Sequence, residues 1–158
     1  MWKKPLLEFV IPVWNPYHKA DIEILERVQH GATKIAHSMK SMSYEERCKH
    51  LNLTSLSDRR TRGDLIQKFK IENNFDEVEW QNNPVCGVPR VGHRDHFKRE
   101  IVKSCDQRHN FFNNRIASNW NILPNEIKAA TSVNGFQKKL DDHLNGNRSK
   151  LPQSVILC

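Results

Sequence analysis

Between His18 and Met39 the apolar residues Ile22, Leu25, Val28, Ala32, Ile35, Ala36 and Met39 recur at steps of three or four. That is the repeat of one helix face, and it excludes a strand, whose side chains alternate with period two. The same repeat returns further along, so the spacing predicts a mostly α-helical fold. Ser43 with Glu46 three residues later has capping-box spacing and opens a second helix with Tyr44, Cys48 and Leu51 inward. Thr54 or Ser55 caps a third, running to about Ile71 with Leu56, Gly63, Ile66 and Phe69 inward. On this helix Arg60, Asp64 and Lys68 read as a solvent-facing ladder of alternating charge at i, i+4 and i+8. Arg59 and Arg62 instead continue the apolar row. A guanidinium there must be paired, for example with Glu23 or Glu26, or must reach out along its stem, in which case it is available to phosphates.

After Ile71 the pattern breaks. Glu72, Asp76, Glu77 and Glu79 form an acidic run, and "QNNPVCGVPRVGH" carries loop-forming Asn, Pro and Gly. "FKREIVKS" fits a short strand or a helix turn equally. In "RHNFFNNRIASNWNILP", Phe112, Ile116, Trp120 and Leu123 step by four, four and three, predicting an amphipathic helix that Leu-Pro ends. A single stripe of this kind reads as core rather than as a base-stacking platform. Asn113, Asn114, Asn119 and Asn121 flank it and read as exposed or capping, and Arg108 and Arg115 as phosphate contacts. Ser132 caps a last helix with Val133, Phe136, Leu140 and Leu144 on one face, and the chain from Asn145 reads as a frayed tail. The expected fold is a small bundle of about five helices with an irregular central loop and room for a short strand pair. One domain is expected over 1–158, with its core at 6–144.

At 158 residues a chain can bury roughly two thirds of its unfolded surface, so it needs no disulfide framework. Cys48, Cys86, Cys105 and Cys158 lie far apart in sequence, as expected of reduced thiols in an intracellular protein. The net charge of +7 favours polyanionic partners. "MWKKPLLEFVIPVW" imitates a signal peptide, but Glu8, Pro5 and Pro12 interrupt its apolar run, and no segment reaches the ~20 apolar residues of a membrane span. The sequons at Asn52 and Asn147 are then expected to go unused. Cys86, His93, His96, Cys105 and His109 are suitable zinc ligands by type but lack the close Cys pair of a structural site. "GHRDH" lacks the surrounding elements of a His-metal nuclease, and the acidic run offers no defined carboxylate pair for a two-metal clamp.

Four stretches stand in order: "LEFVIPVWNPYHKADIEILERVQHGATK", "SYEERCKHLNLTSLSDRRTRGDLIQKFKI", "FFNNRIASNWNILPNEI" and "SVNGFQKKLD". Together, from about Leu6 to Leu144, they resemble the C-terminal part of the reverse transcriptase of non-LTR retrotransposons of the jockey and chicken-repeat type. The sequence departs from that pattern at "VGH", where Arg-Gly-His is usual, and at Val10 and Ile11, where small residues are common. The resemblance implies a helical thumb or post-thumb region that follows the palm. An aromatic-x-Asp-Asp signature has no counterpart here, and Asp141 with Asp142 falls in the last helix, where a structural role is expected. The intact parent implied is an RNA-directed DNA polymerase using magnesium and deoxynucleotides. This chain alone is expected to be inactive and to need no cofactor. The partners implied are RNA-DNA hybrid or duplex nucleic acid, gripped through phosphates by Arg59, Arg60, Lys68, Lys70, Arg108 and Arg115, together with the polymerase palm. The competing expectations are a repurposed helical protein-interaction module and a relic reading frame without a selected role.

Overall fold

The computed structural model describes residues 11–13, 15–35, 39–79 and 97–148, the last two without their side chains. Among these residues it is helical: α1 (Lys19–Ala32), α2 (Tyr44–His50), α3 (Leu56–Glu72), α4 (Asp106–His109), α5 (Phe112–Ile122), α6 (Asn125–Lys128) and α7 (Val133–Arg148). The five expected helices are present, and α4 and α6 are additional single turns. No strand occurs among the described residues, and Phe97 makes only an isolated bridge. The loop expected at 81–93 lies outside the described residues. The chain divides into two compact units, Met1–Asp64 with Glu100–Ile116, and Leu65–Arg99 with Ala117–Cys158.

In the first unit, α1 is shorter than its apolar repeat predicts. The helix ends at Ala32, and the Thr33 hydroxyl donates to the His30 carbonyl at 2.9 Å. Val28 and Ile35 are 52% and 82% exposed, whereas Gln29 is buried. The polar side is covered because the Gln29 amide donates to the Tyr44 hydroxyl at 2.9 Å and to the Thr54 carbonyl at 3.2 Å. The capping box of α2 forms as expected: Ser43 Oγ accepts from the Glu46 N–H, and the Glu46 carboxylate accepts from the Ser43 N–H. That backbone hydrogen bond holds the Glu46 carboxyl below its usual pKa. Asn52, with φ of 51°, follows α2 in the left-handed conformation that Asn tolerates, and the Leu53 N–H reaches back to the Cys48 carbonyl. Ser55 caps α3 by accepting from the Asp58 N–H at 3.0 Å. Ile11, Leu56, Phe112 and Ile116 form the apolar core of this unit. Gly63 admits Ile11 closely, since a Cβ there would stand 3.2 Å from the Ile11 Cδ1.

The second unit is built on aromatic stacking. Phe69 and Phe136 are fully buried with ring centroids 4.2 Å apart, and Trp120 lies 6.2 Å from Phe136. Leu65, Leu123, Ile127 and Leu140 are buried with them. At the end of α3, Asn74 takes a φ of 55° while the Phe75 N–H bonds the Lys70 carbonyl. Ser132 caps α7 by accepting from the Gly135 N–H. This helix continues to Arg148, so the tail expected from Asn145 is helical for a further turn.

Candidate functional site

The charged ladder of α3 is interior, which corrects the expectation of a solvent-facing row. Arg60, Asp64 and Lys68 are 3%, 4% and 4% exposed. Each has a physical reason to tolerate burial. Arg115 of α5 grips Asp64 with both arms, Nε to Oδ2 and Nη2 to Oδ1 each at 2.8 Å. The same Nη2 donates to the carbonyls of Ile11 at 3.0 Å and Pro12 at 3.1 Å. A planar guanidinium provides that fork, which a lysine would not. Arg60 sits near the carboxylates of Glu26 and Asp64. Burial pulls its pKa below the usual arginine value, and the two acids oppose that pull. Its Nη1 finds no hydrogen-bond partner among the described residues.

Lys68 pairs with Glu72 and places its ammonium 4.0 Å from the Phe97 ring centroid and 6.0 Å from that of Trp120. Aromatic faces and one carboxylate thus replace its water. Arg59 is half-buried and donates to the Gln29 side-chain oxygen, and Arg62 is likewise half-buried and engaged. Lys70 is 33% exposed beside Asp76, and Arg108 is 54% exposed beside Glu100. The Glu100 hydrogen bonds raise the pKa of Arg108. Of the sequence-predicted phosphate contacts, Arg108 is exposed and Lys70 partly exposed, and each faces an acid. Arg115 belongs to the scaffold.

Asn114 and Asn121 depart from the expectation that the asparagines flanking the stripe are exposed or capping. Asn114 is buried, and its amide accepts from the Glu100 N–H at 2.7 Å and donates to the Glu100 carbonyl at 3.2 Å. In the second unit Asn121 does the same for Phe97, at 2.9 and 3.0 Å. An amide carries a donor group and an acceptor, so it satisfies both the N–H and the C=O of a single residue. The signal was present in the sequence, because residues seven apart return to the same helix face. Arg47 was also missed: it is buried, with Nε donating to Thr33 Oγ1 at 3.1 Å and Nη1 to the Met42 carbonyl.

Surface cations that the motifs did not single out lie at Lys98 and Arg99, both exposed, with Arg99 held by the Ser118 hydroxyl at 2.7 Å. The first unit has a groove of about 560 Å³ and the second a pocket of about 370 Å³. Cys105 and His109 are exposed around α4, while Cys86, His93 and His96 lie outside the described residues. Among the described residues no group of three metal-ligating side chains converges, and no helix is long and apolar enough to cross a membrane. Asp141 is half-buried and Asp142 exposed on α7. Compared with family models, curated proteins and solved structures, the chain matches none.

Proposed function

We propose that this chain is the helical thumb-like part of a non-LTR retrotransposon reverse transcriptase, a non-catalytic element that holds nucleic acid through phosphates. The supporting observation is that two of the stretches carrying the resemblance make one buried fork. Asp64 of "RRTRGDL" accepts both arms of Arg115 from "FFNNRIASNW". Buried bidentate pairs demand matched positions on both partners, so the motif residues read most simply as the scaffold of a recurring helical part. Phosphate contact then falls to the exposed Lys98, Arg99 and Arg108 and to the partly exposed Lys70.

Contacts of this kind are indifferent to base sequence. Fluorescence anisotropy with labelled RNA-DNA hybrid and duplex DNA tests the reading. Weak binding shared by both duplexes, weakened by salt, is expected, together with no primer extension on primed RNA with magnesium and deoxynucleotides. Extension by the purified chain, or no binding at low salt, contradicts it.

A further inference from the structure

The groove of the first unit has the wrong chemistry for phosphate. Its apolar wall includes Val13, Ile24 and Phe111, which are 71%, 53% and 48% exposed. Asp21, Asn15, Asn110 and Arg115 also line it. Among the described residues Arg115 is the only arginine or lysine of that lining, and its charge is matched by Asp64. Asn15 Nδ2 donates to Asp64 Oδ2 and Asn110 Nδ2 to the Asp106 carbonyl. Each amide keeps its acceptor oxygen and one further N–H for a ligand. Asp21 adds an exposed carboxylate. The lining therefore combines apolar surface with acceptors and a negative charge, within a chain of net charge +7.

We propose that this groove docks a protein partner through a segment in which a leucine-like side chain adjoins an arginine or lysine. The apolar wall takes the first, and Asp21 with the Asn15 and Asn110 oxygens takes the cation. Charge complementarity selects this occupant over a nucleic acid, whose phosphates meet Asp21 as a like charge. The proposal is independent of the thumb reading, since that reading uses cations elsewhere.

The test is amide chemical-shift mapping of the full chain with acetyl-Leu-Arg-amide, with the citrulline and glutamate analogues acetyl-Leu-Cit-amide and acetyl-Leu-Glu-amide, and with inorganic phosphate. Two residues supply little area, so a dissociation constant of about 1 to 10 mM is expected, with shifts at residues 13–25 and 107–111. The citrulline peptide, and Asp21→Asn with the arginine peptide, should each bind about threefold or more weaker. Ile24→Glu should abolish the shifts; because Asp21 and Ile24 are exposed, unchanged signals elsewhere would verify the fold of each variant. Absence of shifts with the arginine peptide overturns the proposal. So does equal binding of the glutamate peptide or phosphate, or insensitivity to Asp21→Asn.

Discussion

Arg115 and Asp64 show how a surface-type charge pattern becomes internal structure. Their side chains are 17% and 5% exposed, so removing one partner leaves the other desolvated and unmatched. Arg115→Met should cost about 3 to 5 kcal/mol in urea unfolding. The Asp64→Asn/Arg115→Met double variant should cost less than the sum of the single variants, because the pair is coupled. Additive losses would mean that the fork contributes no pairwise energy. Tyr44 gives a second residue-scale test. Burial, then the Cys48 hydrogen bond, push its pKa up to about 12 from the ordinary 10. The unfolded state therefore releases this proton first. Tyr44's contribution is fully present below pH 10 and is lost as pH rises toward 12. Wild type should consequently lose melting temperature over that window more steeply than Tyr44→Phe, and parallel pH profiles would contradict this. The Arg115–Asp64 pairing could not be read from spacing. Both the 56–69 row and the 60–68 row of α3 are covered, and sequence distinguishes an exposed charge from a paired one only when its partner, 51 positions away for Asp64 and Arg115, is known.

Among elements, α5 was the most legible. Phe112, Ile116, Trp120 and Leu123 are all buried, as their stripe predicts, because one apolar row on one helix admits a single inward face. α7 was legible for the same reason through Phe136 and Leu140. α1 was legible as a helix and misleading as a face, since Gln29 rather than Val28 turned inward. Its polar contacts to Tyr44 and Thr54 come from outside the helix, where no periodicity reaches. Trp120→Ala should cost about 3 to 5 kcal/mol through the cavity it leaves. It would also uncover the Lys68 ammonium. A melt at the wild-type temperature would contradict the buried position. Asn121→Ala leaves the Phe97 N–H and C=O without their partner, a loss of about 1 to 3 kcal/mol. Hydrogen exchange at the Phe97 amide should then accelerate well beyond that of the α7 amides, and unchanged protection at Phe97 would show that the Asn121 clamp is dispensable.

For the whole molecule, the balance of 25 basic against 18 acidic residues states how much positive charge exists, and burial decides how much of it can act outward. Arg47, Arg60 and Lys68 are withdrawn from the surface by burial, and Arg115 is largely committed to Asp64. The helical class was legible in the sequence, but the division of cations between scaffold and surface was not. The central claim is that phosphates are met by exposed cations while the α3 ladder holds the fold. Its most direct test is the salt dependence of duplex DNA binding in wild type, Lys98→Ala/Arg99→Ala and Lys68→Met. Each phosphate contact contributes about −0.9 to the slope of log affinity against log salt, so three contacts give about −3. The account predicts that the double variant flattens the slope by about two units at an unchanged melting temperature, whereas Lys68→Met lowers the melting temperature and keeps the slope. A flattened slope in Lys68→Met with a wild-type melt, or a wild-type slope near zero, would contradict it.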